Sequence, residues 1–210
     1  MGPRSRRLAV VTGLLSAFAL VVDSAGAAFS ATTTNGGNEL GAGTVSITGS
    51  NAGTAMFAAA SLLPGDSATV CMGVAYTGSV APTAVRLYVT GAQEADNGGG
   101  YLSWADRAAA QMDDKLTMRV EISGNDLSSD PGNNCGPTGV GAFTDVVPAT
   151  TMRTLIAANT NYASGLPSQW GTVTPGRWRV WRFTYTFLSS ATSAAQGDGL
   201  RCTFVWEAQR

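Results

Sequence analysis

Apolar and polar side chains alternate with a period of two through several separate stretches of this chain, a rhythm that specifies half-buried β-strands. Ser67–Tyr76 sets Ala68, Val70, Met72, Val74 and Tyr76 against Thr69, Cys71, Gly73 and Ala75. Residues 84–90 carry Val85, Leu87 and Val89 on one face, with Arg86, Tyr88 and Thr90 on the other. The clearest case is 115–123, where Leu116, Met118, Val120 and Ile122 oppose Lys115, Thr117, Arg119 and Glu121. Residues 178–187 place Trp181, Phe183, Tyr185 and Phe187 opposite Arg182, Thr184 and Thr186. Shorter runs lie at 44–48, around Val45 and Ile47, and at 201–207, with Cys202, Phe204 and Trp206 in step. Clusters of Gly, Pro and Asn bound these runs, as turns between antiparallel strands require.

Helical signal is scarce. Residues 102–112 follow Gly98-Gly99-Gly100, start with Ser103 in the N-cap position and place Asp106 at the third position after it, which predicts a short helix. Residues 152–158 fit a short helix or a short strand equally well. Many short strands with few helices predict an all-β fold, a jelly-roll-like antiparallel β-sandwich with one short inserted helix. The two closing strands hold most of the aromatic residues and are expected to be partners in the core.

The N-terminus has a different composition. Arg4, Arg6 and Arg7 precede an apolar run at 8–22, and Ala25-Gly26-Ala27 supplies small residues at the A-x-A positions. This is the layout of a secretory signal peptide at 1–27, cleaved between Ala27 and Ala28, and it makes a signal peptidase the first expected partner. The apolar run ends at Asp23, short of the roughly 20 residues that a bilayer span needs. No second apolar run is long enough, so no membrane association is expected after cleavage. Residues 28–210 then form one domain, with no long linker and no repeat of solenoid or propeller period. Cleavage removes three of 13 basic and one of 14 acidic residues, leaving 10 against 13 and a net charge of −3. Such a surface offers no electrostatic footprint for nucleic acid or anionic lipid.

Three cysteines in an exported chain allow one disulfide and leave one thiol over. Cys202 alternates with Phe204 and Trp206 and is read as pointing inward, where a thiol behaves as a small hydrophobe. Cys135 sits in the turn-rich stretch Asp130-Pro131-Gly132-Asn133-Asn134-Cys135-Gly136-Pro137. Cys71 is therefore paired with Cys135, although spacing alone leaves the other connectivities open.

The chain has no histidine. That removes His-based triads, H-E-x-x-H zinc sites and His proton shuttles from consideration. Asn125, Asp126, Asp130, Asn133 and Asn134 are hard oxygen donors of the type calcium takes, but they do not follow EF-hand spacing. Turns require the same residue types for their own reasons, so no cofactor is assigned. Asp106, Asp113 and Asp114 read as a solvated helix face rather than as an acid pair across a cleft. Arg177, Arg179 and Arg182 read as the solvent face of a strand. No catalytic residue is assigned.

Several motifs, in order along the chain, resemble those of TasA/camelysin (CalY) family proteins. They begin with Ala27-Ala28-Phe29 and Asn38-Glu39-Leu40-Gly41-Ala42-Gly43-Thr44-Val45. Ser61-Leu62-Leu63-Pro64-Gly65-Asp66-Ser67 is similar to the family's N-L-x-P-G-D-S turn, with Ser61 in place of the usual Asn. Tyr76-Thr77-Gly78-Ser79 with Val85-Arg86-Leu87-Tyr88 resembles the next hairpin. Ala194-Ala195-Gln196-Gly197 and Phe204-Val205-Trp206-Glu207-Ala208 resemble the closing strand of actinobacterial-type members. The middle, residues 98–168, matches poorly.

The resemblance implies a jelly roll and, through cysteines at the places of Cys71 and Cys135, the pairing already given. It also implies a secreted structural role, as a homopolymer forming cell-surface or biofilm-matrix fibres. In such fibres the N-terminal segment of one copy completes the sheet of the next. Here that donor segment is Ala28, Phe29, Ser30, Ala31, Thr32, Thr33 and Thr34, within an extended stretch at 28–43. Two alternatives remain at this level. One is a camelysin-like surface metalloendopeptidase, which the absence of histidine makes hard to build. The other is a surface carbohydrate-binding or adhesion module using Trp104, Trp170 and Tyr162.

Overall fold

Five of the six alternating runs become strands, the sixth, at 44–48, is described only from Ile47 onward, and strand order divides them between two sheets. The computed structural model describes residues 30–34, 47–50, 56, 61–104 and 112–210. The strands are β1 Ser30–Thr34, β2 Ile47–Gly49, β3 Ser67–Tyr76, β4 Ala84–Ala95, β5 Leu102–Ser103, β6 Leu116–Ser123, β7 Phe143–Thr151, β8 Leu166–Pro167, β9 Arg177–Phe187 and β10 Gly199–Gln209. Among the described residues two short α-helices accompany them, α1 Met112–Lys115 and α2 Met152–Ala158. One sheet runs β1-β10-β4-β5 with β8 also on β4, the other β2-β3-β9-β6-β7, and every pairing is antiparallel. The chain is an all-β, jelly-roll-like sandwich.

The inward sets are those the alternation marked, except that Ala68 is exposed and Val70 half-buried at the outer end of β3. Val85, Leu87 and Val89 of β4 and Phe204, Trp206 and Ala208 of β10 share one core with Met72, Val74 and Tyr76 of β3, Met118, Val120 and Ile122 of β6, and Trp181 and Phe183 of β9. β9 and β10 belong to different sheets and meet through rings. Trp181 lies edge-on to Trp206 with centroids 5.5 Å apart, Phe183 is 5.0 Å from Phe204, and Phe183 is 5.9 Å from Trp206. Aromatic side chains of this size dominate the burial energy, and such geometry adds about 0.5–1.5 kcal/mol per pair.

Some elements differ from the sequence reading. Ser103 caps no helix: Leu102 and Ser103 pair with Glu94 and Gln93, because the far half of β4 presents an edge that captures them. The rest of the expected helix, at 105–111, lies outside the described residues, and Met112–Lys115 is helical. Residues 152–158 are helical, with the Thr151 side chain accepting a hydrogen bond from the Thr154 N–H. β7 has no period-two signature because its register against β6 shifts twice, so that neighbours Val146 and Val147 are both buried.

Candidate functional site

The loop between β6 and β7 folds over the outer face of β3. Cys71 and Cys135 are joined by a disulfide, their Cα atoms 5.2 Å apart. Next to it Gly73 donates to Gly132 O at 3.0 Å, and a side chain at Gly73 would meet the Pro131 ring at 2.6 Å. The absence of a Cβ at Gly73 is what lets the loop lie flat. Four of the five side chains that resembled calcium donors bond within the loop's own neighbourhood. Asp126 accepts from Arg179 and Trp170, Asp130 accepts from Ser50 and from the Gly132 N–H, Asn134 accepts from the Gly136 N–H, and Asn125 donates to Gly139 O. Asn125, Asp126, Asp130 and Asn134 thus act as turn and anchoring groups. Among the described residues no group of three or more His, Cys, Asp or Glu side chains converges on a point where an ion would sit.

Of the arginines read as a solvent face, Arg177 is exposed, whereas Arg179 and Arg182 hold carboxylates. Arg182 clamps the nearly buried Glu121 through two contacts of 2.7 Å and lies 3.9 Å above the Phe143 ring. Arg119 bridges Glu121 at 3.3 Å and Asp145 at 2.6 Å. Arg179 pairs with Asp126 and donates to Ser123 O. Asp113 is buried rather than solvated, accepting from Trp104 Nε1 at 2.7 Å and from Arg153 at 3.1 Å. Burial raises its pKa above the ordinary carboxylate value, and the nearby charge of Asp114 adds to this against the Trp104 hydrogen bond. Asp114 shares Arg153 at 2.7 Å. Asp106 lies outside the described residues.

The three aromatics weighed for sugar binding do not form a shared platform. Trp170 is buried in the core, Trp104 is held half-buried by Asp113, and Tyr162 lies under Arg86, whose guanidinium is 5.3 Å from the ring centroid. Cys202 is free and half-buried, and burial pushes its thiol up to about 12.

Five of the seven residues expected in the donor segment, Ser30–Thr34, form one strand. Ser30, Ala31, Thr32, Thr33 and Thr34 pair with Gln209, Ala208, Glu207, Trp206 and Val205 in that order, making β1 the edge strand beside β10. On its other side β10 pairs with β4 along its length, through a bulge between Arg201 and Thr203. Glu207 is held in place, accepting from the Tyr88 hydroxyl at 2.7 Å and from Gln209 Nε2 at 2.6 Å. Burial, and then Glu207 itself, raises the Tyr88 pKa above its ordinary value. The Thr83 N–H donates to Gln209 O at 2.8 Å and closes the end of the strand. Ala27, Ala28 and Phe29 lie outside the described residues. So do the signal-peptide stretch 1–27 and the remainder of 28–43.

Fold and site together define a disulfide-bonded, all-β sandwich whose first described strand forms a sheet edge. No helix among the described residues is long and apolar enough to cross a membrane. Comparison with protein-family models matches none of them, and comparison with curated proteins also finds no match.

Proposed function

We propose that this chain is a secreted structural subunit of cell-surface or matrix fibres, each copy donating its N-terminal strand to a neighbouring copy. The observation that supports this most is the position of Ser30–Thr34, a short strand at a sheet edge, attached through main-chain pairing to β10. A terminal edge strand of this type is the element most easily exchanged between identical chains, since the hydrogen bonds it makes are the same in either setting. The segment Ala28–Thr34 carries no charge, so no ionised side chain opposes its insertion beside another sheet. A disulfide is at home in an exported protein, and the signal-peptide layout at 1–27 supplies the route and the cleavage that frees Ala28. The ordered motifs that resemble TasA/camelysin-type proteins favour the same role.

Deletion of residues 28–34 tests the reading. The truncated protein is expected to keep its far-ultraviolet circular dichroism and to lose fibres under electron microscopy. Undiminished polymerisation by the truncated chain would sink the proposal.

A further inference from the structure

We infer that the seam between the two sheets holds a binding site for a small, neutral, mainly apolar molecule that carries one hydrogen-bond donor. The inference stands apart from the fibre reading, because the site uses β7, β8 and α2 and none of the residues proposed for exchange.

The site originates in the irregular register of β7. Met118 faces Thr150 and Val120 faces Val147, so Arg119 alone opposes both Pro148 and Ala149. Such a two-against-one bulge bends its strand away from the regular sheet. Pro148 adds to the break, having no N–H for the ladder. On the facing sheet the counterpart is β8, only two residues long and attached to β4 at Arg86 and Leu87. A bent edge and a two-residue edge do not close on each other, and α2 lies across the gap, packed on β4, β6 and β7. Between them is a cavity of about 350 Å³. That falls within the range of about 300–1,000 Å³ typical of small-molecule sites. Its wall is mainly hydrocarbon, from buried Val147 and Leu155, half-buried Leu166, and Pro148 and Ala149 of the bulge. Among the described residues no charged side chain lines it. A charged ligand would give up its hydration there without compensation, which restricts the site to neutral molecules.

One polar group is built into this wall. Asn159 is only 7% exposed and is fixed at three points. Its N–H donates to Leu155 O at 3.2 Å, its O accepts from the Val89 N–H at 2.8 Å, and its Nδ2 donates to Leu155 O at 3.0 Å. A carbonyl accepts only from the nitrogen of the amide, so this last bond fixes which way the side chain is turned. Oδ1 then points away from Leu155 O. Among the described residues no donor reaches it, yet it is not sealed from outside. An accessible acceptor on a nearly buried residue that lines a cavity faces that cavity. A ligand without a donor would strip the water from Oδ1 and leave it unpaired, whereas a hydroxyl or N–H replaces that water. The site therefore selects one donor on an apolar body.

Heptanol and methyl hexyl ether test the site, since they have the same number of heavy atoms and only the alcohol donates. Heptanol is expected to shift the backbone amide signals of Val147, Ala149, Leu155, Asn159 and Leu166, and the shifts to saturate. The ether is expected to bind at least about fivefold more weakly. Ala149→Phe, at an exposed position on the rim, should fill the cavity and abolish both responses while leaving the circular dichroism spectrum unchanged. Asn159→Ala should lower heptanol affinity to that of the ether, a loss of discrimination that a purely structural role of Asn159 would not produce. Asn159 also holds the end of α2; should its variant fail to fold, the alcohol-to-ether ratio in wild type and the Ala149→Phe block decide the matter. Shifts scattered over the molecule, no saturation up to the solubility limit of heptanol, equal binding of alcohol and ether, or unchanged binding by Ala149→Phe would each overturn the inference. So would shifts of the same amides with protein concentration alone, which would mean that a second copy covers the cavity.

Discussion

Cys202 shows how one side chain's surroundings set its chemistry. It sits on β10 in step with Phe204 and Trp206, packed against the core, and burial raises its pKa from 9.0 to about 12. The thiolate is the reactive form, and burial lowers its population at pH 8. Iodoacetamide at pH 8 is therefore expected to modify Cys202 rapidly in urea and at least about tenfold more slowly in the folded chain, read by mass spectrometry. Comparable rates in the two states would show that the thiol is not shielded. The sign of the pH effect follows from the same shift. Between pH 9 and 12 the folded chain keeps a proton the unfolded chain has lost, so stability falls as pH rises through that window. Cys202→Ala should remove one proton's share of that alkaline loss.

At the scale of elements, α2 depends on its first residue. It is seven residues long, too short to hold itself by propensity, and it buries Met152, Leu155 and Ile156. Thr151 ends β7 and caps α2 in the same stroke, its Oγ1 accepting from the Thr154 N–H at 3.3 Å. Thr151→Ala is expected to cost about 1 kcal/mol, and Thr151→Ser only a few tenths, measured as shifts in the urea midpoint. Equal losses from the two substitutions would show that the methyl group, not the hydroxyl, is what matters there. The Pro148 position has the opposite character. It denies β7 a donor and so protects the outer edge of its sheet against further pairing.

Across the whole molecule the disulfide ties a long loop to the sandwich. Cys71 and Cys135 are 64 residues apart in sequence, and a chain-entropy treatment of such a closure gives about 4 kcal/mol. The Cys71→Ala/Cys135→Ser variant is expected to lose about 3–4 kcal/mol in denaturant unfolding while keeping a far-ultraviolet spectrum typical of β-structure. A loss below about 1 kcal/mol would mean that Pro131, Gly132 and the Ser50–Asp130 contact hold the loop without the covalent link. The same architecture separates two jobs. Sheet β2-β3-β9-β6-β7 carries the disulfide, the arginine–carboxylate contacts and a disrupted outer edge, whereas sheet β1-β10-β4-β5 presents the strand proposed for exchange.

What the sequence determined by itself was local periodicity. β3 is bounded as the alternation marked it, β4, β6, β9 and β10 extend or trim their runs by a few residues, and the inward sets of all five form the core. The inward phase of Cys202 favoured pairing the other two cysteines, and the structure joins them. Backbone alternation is an i, i+2 property, and no distant partner is needed to read it. Tertiary structure decided the rest. β7 is bulged against β6, β5 and β8 exist because β4 has edges to fill, and Asp113 is buried because Trp104 and Arg153 reach it. Glu121 finds Arg182 across 61 residues, and Ser30 finds Gln209 from the opposite end of the chain. Each is a long-range register outcome, fixed by which side chains share a buried face once the sheets close, and register of that type has no signature within a single strand.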